Sequence, residues 1–134
     1  MAKWPDHYPE QCPPESAESV SGKVYRFVNR TNPKERDFKS NYEQRPGTDW
    51  GNQGCQARGL SVFRTIEACD DMAEQVPALA KKKLAVANLS QNDGVIAETP
   101  SRNSSEHNTL WPLVDAKEMA SRFKSVDIEE AANA

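Results

Sequence analysis

Five polar residues spread along the chain are of types that bind anions or transfer protons. They are two arginines, a serine, a glutamate and a histidine: Arg26, Arg64, Ser61, Glu98 and His107. Arginine binds phosphate or carboxylate through two parallel hydrogen bonds, and glutamate and histidine are the usual proton donors and acceptors in catalysis. If the five residues converge in the fold, they would bind an anionic ligand, with Glu98 and His107 as the catalytic groups.

Arg26 is the most informative of the five because it interrupts the apolar segment GKVYRFVN (22–29), which is typical of an interior strand. An arginine in such a strand must be paired or must reach a pocket. In a purely structural interpretation, Arg26 forms an ion pair with Glu98, Arg64 is solvated and His107 belongs to a turn. The sequence favours this structural interpretation, because charged residues gather in structural ion pairs as well as in active sites.

Trp50 lies in RPGTDWGNQG (45–54), where three glycines and a proline predict a mobile loop. An aromatic residue on such a loop can cover a pocket or anchor a partner, and it can also fold back onto the core. We therefore place Trp50 with Arg26, Ser61 and Arg64 among the candidate ligand-binding residues.

Other kinds of site lack a motif. The histidines and cysteines stand apart in sequence, whereas zinc ligands usually come in closely spaced pairs, so we expect no metal. The glycine-rich segment matches neither the Walker pattern nor the dinucleotide fingerprint, and we expect no resident cofactor. Neither G-x-S-x-G nor S-x-x-K with its companion motifs occurs, so no serine or cysteine has a local signature of a nucleophile.

The composition limits the class of protein. A chain of 134 residues suits one domain, and an apolar fraction of 37% predicts a modest core. Lysine and arginine number 17 against 20 acidic residues, a balance that does not favour general nucleic-acid binding. Because no apolar run is long enough to cross a bilayer and the first residues do not form a secretory signal, we expect no membrane association.

The three cysteines, Cys12, Cys55 and Cys69, are an odd number with no close pair in the sequence, which is typical of a reducing compartment. Cys69 lies on the apolar stripe of a predicted helix, where we expect a small core residue. These features predict a cytoplasmic protein.

The elements that must position the candidate residues predict an α+β fold, a single small domain with a mixed or antiparallel sheet and two to three helices. Predicted strands cover 22–29, 58–65, 109–114 and the two arms of a hairpin, 82–89 and 94–98. Predicted helices begin at Asn32–Pro33, at Thr65 and at Asp115. A proline-rich arm (1–20) precedes the domain (21–124), and an acidic tail (125–134) is expected to fray.

Two resemblances accompany these patterns. At GKVYRFVN, RGLSVFR and EHNTLWP the chain resembles short bacterial proteins of unassigned function, which implies no activity. Tyr25-Arg26 on a strand, followed by the serine-bearing strand and helix of GLSVFRTIEACDDM, resembles ADP-ribosyltransferase-type domains. That resemblance implies NAD as the cofactor, with Arg26, Ser61 and Glu98 in the positions of the family's NAD-holding arginine, its strand serine and its late glutamate. The paired-glutamate motif of that family is missing from this chain.

Three functions are therefore open. The first is a small interaction module without catalysis, which contacts another protein through Trp50, Trp111 and the proline-rich arm. The second is an NAD-consuming, ADP-ribosyltransferase-like enzyme, and the third is a sensor of an anionic nucleotide-type ligand. The lack of a catalytic motif favours the first.

Overall fold

The apolar segment around Arg26 forms a strand, as its β-branched and aromatic residues predict. In the computed structural model, which describes residues 4–126, this strand is the second of seven. The strands are β1 (Glu18–Ser19), β2 (Gly22–Val28), β3 (Leu60–Val62), β4 (Lys83–Leu89), β5 (Gly94–Glu98), β6 (Asn108–Pro112) and β7 (Lys124–Val126).

Five α-helices and two 3-10 turns connect the strands within the described residues. The helices are α1 (Asn41–Gln44), α2 (Gly54–Ala57), α3 (Ile66–Gln75), α4 (Pro77–Ala80) and α5 (Ala116–Arg122), and the 3-10 turns are Glu35–Phe38 and Gly51–Gln53. The predicted α+β class is confirmed. No helix among residues 4–126 combines the length and the apolar character that crossing a membrane requires.

The strands form two antiparallel sheets, one in the order β1-β5-β6-β3 and the other in the order β2-β4-β7. The sheets meet where Tyr25 of β2 and Phe63, which follows β3, exchange two backbone hydrogen bonds of 2.7 and 2.9 Å. The main core cluster draws apolar residues from both sheets and from α5. The junction between the sheets brings Arg26 of β2 close to Ser61 of β3.

The predicted hairpin between 82–89 and 94–98 is wrong, because β4 and β5 belong to different sheets. A tight turn does form between them, closed by the Asp93 carboxylate, which accepts a hydrogen bond of 2.8 Å from the Ser90 amide. Gly94 then approaches β6 so closely that a Cβ there would lie 2.5 Å from the Trp111 carbonyl oxygen. The turn residues thus specify a change of direction, while packing against β6 selects the partner of β5.

The helix predicted from Pro33 is also wrong, since it divides into the 3-10 turn Glu35–Phe38 and α1. The Asp37 carboxylate accepts hydrogen bonds from the amides of Lys34 (2.9 Å) and Asn29 (3.0 Å), which closes the first turn locally. Ser40 then begins α1 with its own cap, accepting a 3.2 Å bond from the Glu43 amide. Two consecutive caps interrupt one continuous helix.

The helices predicted at Thr65 and Asp115 are confirmed together with their caps. The Thr65 side chain accepts a hydrogen bond of 3.1 Å from the Ala68 amide, and Asp115 accepts one of 2.8 Å from Glu118. Each cap satisfies an amide at the start of its helix that has no partner within the helix.

The interpretation of the cysteines is overturned for two of them. Cys12 and Cys55 form a disulfide across a sequence separation of 43, whereas Cys69 is a free, buried cysteine in α3, as expected. The bond fastens the proline-rich arm to α2, and the Tyr8 hydroxyl donates to the Arg58 carbonyl oxygen at 3.3 Å. The cysteine spacing gave no sign of this pair because the arm and α2 meet only in the folded chain.

The two ends of the chain differ from the predicted division as well. Glu18–Ser19 of the predicted arm forms β1 and pairs with β5, and Lys124–Val126 forms β7 and pairs with β4. The first two residues of the predicted tail therefore belong to a sheet. Residues 127–134 of that tail lie outside the described residues.

Candidate functional site

Arg26 bridges two parts of the backbone at the junction of the sheets. Its Nε donates to the Asp37 carbonyl oxygen and its Nη1 to the Ser61 carbonyl oxygen, both at 2.9 Å. Its guanidinium carbon lies 5.7 Å from the centre of the Phe38 ring. Among the described residues no acceptor binds its Nη2, and the expected ion pair with Glu98 does not form.

The charge on Arg26 is balanced by carbonyl dipoles and not by a carboxylate in direct contact. Desolvation lowers the pKa of the guanidinium to about 10, and the more distant charge of Asp37 opposes that shift. Arg26 is therefore still positively charged at neutral pH. A half-buried cation with spare N–H groups is suited to bind an anion.

Ser61 and His107 meet across β3 and the start of β6. The Ser61 hydroxyl lies 2.9 Å from Nε2 of His107, and Nδ1 of His107 lies 2.9 Å from both the carbonyl oxygen and the hydroxyl of Thr99. Because a carbonyl oxygen can only accept, Nδ1 carries the proton and Nε2 accepts from Ser61. Burial lowers the pKa of His107 and the bond to Thr99 opposes this, so the ring is neutral at neutral pH.

Neighbouring side chains fix the orientation of this group. The His107 ring meets the Phe63 ring edge-on, with centres 5.7 Å apart and planes at 86°. The Thr99 hydroxyl lies 2.7 Å from that of Thr109. His107 is buried, whereas Ser61 is exposed. The histidine is thus a fixed acceptor behind an accessible hydroxyl.

Two clefts share Arg26 and Ser61 in a common wall. Cleft A has a volume of about 250 Å³ and is lined additionally by Lys39, Trp50, Gln53 and Gln56. Cleft B has a volume of about 210 Å³ and is lined additionally by Phe63, Met72, Lys82 and His107. Three lysine or arginine side chains line the two clefts, and no aspartate or glutamate among the described residues does. In a chain of net charge -3, this is a local concentration of positive charge.

Trp50 lies in the wall of cleft A, next to the 3-10 turn Gly51–Gln53. Its indole Nε1 is shielded from solvent and has no hydrogen-bond partner among residues 4–126. A buried donor without an acceptor costs about 1–3 kcal/mol. A small shift of the loop that exposed this donor to a ligand acceptor would recover that free energy.

Arg64 and Glu98 lie apart from Arg26. Together with Glu18 they line a third cleft, cleft C, with a volume of about 550 Å³. The structure therefore brings together Arg26, Ser61, His107 and Trp50 and leaves Arg64 and Glu98 outside that group. The candidate catalytic pair Glu98 and His107 is divided between clefts C and B.

Trp111 is not available as an anchor for a partner, which corrects the expectation for the interaction module. It is 1% exposed, and its Nε1 donates to the Cys55 carbonyl oxygen at 2.9 Å. The ring packs with Cys12 beneath the docked arm. Trp111 therefore belongs to the core and stabilises α2 through its hydrogen bond to Cys55.

Three residues that line the clefts or orient His107 were not predicted from the sequence: Thr99, Lys39 and Lys82. Thr99 faces His107 because β5 and β6 form a hairpin in which Glu98 pairs with Asn108, and the Thr99 amide donates to the His107 carbonyl oxygen at 2.9 Å. Recognition of that hairpin would have paired the two residues. The lysines carry no sequence signal, because one follows a 3-10 turn and the other follows a short helix.

Within residues 4–126, no group of three or more histidine, cysteine, aspartate or glutamate side chains is arranged to hold a metal ion. Comparison with known proteins adds no identification, since no family model, no curated protein and no solved structure matches the chain.

Proposed function

We propose that this protein is a small binding domain for an anionic, nucleotide-sized ligand, which lies across clefts A and B and contacts Arg26 at their common wall. The observation that carries the proposal is the bonding of Arg26. Its guanidinium is held by two backbone carbonyls, keeps its charge and leaves Nη2 without an acceptor among the described residues.

The charge of the surrounding side chains supports the same ligand class. Lys39 lines cleft A together with Arg26, and Lys82 lines cleft B together with Arg26. A cleft lined by one sign of charge attracts ions of the opposite sign and raises their local concentration. A phosphate or carboxylate group at Arg26 would be within the field of both lysines.

The shape of the clefts supports a ligand with two parts. Neither cleft alone reaches the lower end of the volume range typical of ligand pockets, which is about 300 Å³. Cleft A offers the Trp50 ring and the amides of Gln53 and Gln56, and cleft B offers an apolar wall that includes Phe63 and Met72. A molecule with a planar polar part and an anionic centre would fill both.

The two other functions receive less support. The ADP-ribosyltransferase-like enzyme requires a glutamate beside the arginine and serine, and Glu98 lies in cleft C. The interaction module requires exposed anchors, but Trp111 is buried. Its other anchor, the proline-rich arm, is already bonded to α2 through Cys12–Cys55. NAD remains a candidate ligand of the binding domain, as an anionic dinucleotide and not as a consumed substrate.

The Cys12–Cys55 disulfide also indicates the kind of cellular compartment in which the protein folds. Disulfides persist mainly in oxidising environments and are rare in the cytosol. We therefore propose a compartment in which Cys12–Cys55 forms, in place of the cytoplasmic location that the cysteine spacing predicts. Alkylation of free thiols in cells lysed directly into denaturant, followed by intact-mass measurement, would test this: modification of Cys69 alone supports the disulfide, and modification of all three cysteines contradicts it.

Thermal-shift and calorimetric titrations with AMP, NAD and inorganic phosphate would test the binding function, with adenosine as the uncharged control. We expect AMP or NAD to raise the melting temperature and adenosine to leave it unchanged, because a ligand that binds only the folded state stabilises it. Replacing Lys39 or Lys82 by glutamine is expected to weaken binding about fivefold, the effect of about 1 kcal/mol for one nearby charge in water.

The matched control is Lys81→Gln, which removes the same charge from an exposed neighbour of Lys82 that lines neither cleft. This variant should bind as the wild type does. A wild-type protein that none of the three anions stabilises, or an equal loss of affinity in Lys81→Gln and Lys82→Gln, would contradict the proposal.

A further inference from the structure

We propose that Ser61 and His107 form a nucleophile and its general base, and that the pair cleaves esters of short apolar acyl groups in cleft B. This activity goes beyond ligand binding and does not depend on it, since the reaction needs cleft B alone. Ser61 and His107 lie 46 positions apart in the chain and are joined by a hydrogen bond in the fold.

The hydrogen bonds around His107 place each proton where the reaction needs it. Nδ1 donates to the Thr99 carbonyl oxygen at 2.9 Å, so Nε2 has a free electron pair directed at the Ser61 hydroxyl at 2.9 Å. A serine is a weak nucleophile until an adjacent base accepts its proton, and that base must be oriented by a third group. Here the third group is a backbone carbonyl, assisted by the Thr99 hydroxyl.

The burial of the pair also suits the reaction. His107 is 7% exposed and is fixed by the Phe63 ring, whereas Ser61 is an exposed residue that lines cleft B. Burial lowers the pKa of His107, so most of the protein carries the neutral base at pH 7. The base is thus shielded from bulk water while its nucleophile is open to a substrate.

The lining of cleft B indicates the class of substrate. Four apolar side chains, those of Phe27, Phe63, Met72 and Leu79, offer room for an acyl group, and the volume of about 210 Å³ restricts that group to a short one. Arg26 and Lys82 line the same cleft. Their positive charges would stabilise the negative charge that develops on the ester carbonyl oxygen in the transition state.

The reaction proceeds in two balanced steps. In the first, the Ser61 oxygen forms a bond to the ester carbonyl carbon while its proton passes to Nε2 of His107, and the bond from that carbon to the alcohol oxygen breaks as His107 returns the proton to the leaving alcohol. In the second, a water oxygen forms a bond to the acyl carbon while its proton passes to Nε2 of His107. The bond from that carbon to the Ser61 oxygen then breaks as His107 returns the proton to this oxygen, which releases the carboxylic acid and restores Ser61.

A fluorophosphonate with a short alkyl chain tests the nucleophile directly. Ser61 would displace fluoride and leave a covalent phosphonyl group, which intact-mass and peptide-mass measurements locate. We expect one adduct per folded protein molecule, on Ser61, and no adduct in Ser61→Ala. The matched control is Ser105→Ala, which removes another exposed serine and should label as the wild type does.

Two further variants separate the base from a structural role. His107→Gln is expected to lower the rate of labelling about 100-fold or more, the lower limit for loss of a general base. Thr99→Val removes the hydroxyl but keeps the carbonyl that orients Nδ1, and it should lower the rate by less than about tenfold. Circular dichroism and melting temperature establish that each variant is folded, and because Ser61 is exposed, Ser61→Ala provides the test even if His107→Gln does not fold.

Failure of this proposal is distinguishable from failure of the binding function. A folded wild type that gives no adduct at Ser61, or labels there no faster than the unfolded chain does in urea, overturns the nucleophile. Titration of the unlabelled wild type with AMP and NAD reports on binding alone, so binding without labelling would leave the binding domain intact and remove only the reaction.

Discussion

Two regions of the molecule hold their half-buried arginines in opposite ways. At the cleft end, which comprises clefts A and B with their walls, Arg26 donates to two backbone carbonyls. At the turn end, which comprises the β4–β5 turn and α5, Arg122 pairs with the carboxylates of Asp93 and Glu118. The first arrangement binds two guanidinium nitrogens to carbonyl oxygens and leaves the charge without a carboxylate in direct contact, whereas the second pairs the charge with carboxylates.

The pKa values of the two guanidinium groups move in opposite directions for this reason. The hydrogen bond to Asp93 raises the pKa of Arg122, whereas desolvation lowers that of Arg26 to about 10. Asp93 is itself satisfied by the Ser90 amide, so the turn end is a closed network. A closed ion-pair network serves stability, whereas an open guanidinium in a cleft is available to a ligand.

The largest expected effect comes from removing the Cys12–Cys55 disulfide, which fastens the arm to α2 at the cleft end. In Cys12→Ala/Cys55→Ala, we expect the free energy of unfolding to fall by about 2–4 kcal/mol, because the bond closes a long loop in the unfolded chain. Urea denaturation measures the loss. Amide hydrogen exchange should become faster in α2, which carries Cys55 and lines cleft A, and should stay unchanged at the turn end.

Cys69→Ala is the control for that experiment, since Cys69 is free and buried in α3. It should destabilise the protein by about 1 kcal/mol through lost packing, without faster exchange in α2. Equal acceleration at both ends of the double variant would mean that the disulfide does not hold the cleft end specifically.

The second test exchanges each arginine for methionine. Arg26→Met and Arg122→Met should each lower the free energy of unfolding by about 1–3 kcal/mol, since both lose hydrogen bonds to buried acceptors. Of the two variants, only Arg26→Met should reduce the quenching of tryptophan fluorescence by iodide, by about twofold relative to the quenching by uncharged acrylamide. The reason is that Arg26 lines cleft A with Trp50 and attracts anions toward it, whereas Arg122 does not line that cleft. The same reduction of iodide quenching in Arg122→Met would show that the two charges attract anions toward Trp50 equally.

The third test concerns the acceptor of Arg26. Asp37 positions its carbonyl oxygen through its own carboxylate, which accepts from the Asn29 and Lys34 amides. Burial opposes ionisation of Asp37, but these bonds and the Arg30 charge outweigh it, so the pKa is lowered from 3.8. Asp37→Asn should cost about 1–2 kcal/mol at neutral pH.

The sign of the pH dependence at Asp37 follows from that shift. A carboxyl group with a lowered folded-state pKa stabilises the fold above its unfolded pKa and loses that contribution as the pH falls through the folded pKa. The stability difference between wild type and Asp37→Asn, measured by urea denaturation, should therefore shrink below pH 3.8. A difference that is constant from neutral pH to pH 3.8 and below would exclude the ionised carboxylate as its cause.

Prediction from the sequence succeeded where one or two turns of chain decide the structure. The strand around Arg26, the helix capped by Thr65 and the helix capped by Asp115 all follow from residues within a few positions of one another. A cap also explains the main local error, because Ser40 starts a second helix where one was predicted.

The site was less predictable because its contacts span long stretches of chain. The Ser61–His107 bond joins residues 46 apart, and the Cys12–Cys55 bond joins residues 43 apart. Residue type did identify Arg26, Ser61 and His107 as candidates. The assignment of Glu98 as the partner of Arg26 failed to anticipate that the sheets divide between them, since β5 and β2 lie in different sheets.

The smallest expected effect is acid sensitivity at the cleft end, and it comes from His107. Burial lowers its pKa from 6.5, and this outweighs the opposing effect of the hydrogen bond to Thr99. The charged side chains that line cleft B with His107 are Arg26 and Lys82. The unfolded chain therefore binds a proton more readily than the folded protein, and the contribution of His107 to stability is complete above pH 6.5 and declines as the pH falls through the folded pKa. Between pH 7.5 and pH 5.5 we expect a loss of about 1 kcal/mol or less in urea denaturation, and a smaller loss in His107→Gln, in which His7, whose pKa is also lowered by burial, still titrates. Because the turn end contains no histidine, its hydrogen exchange should not follow this titration, and acid-dependent opening there instead of around His107 would reverse the assignment.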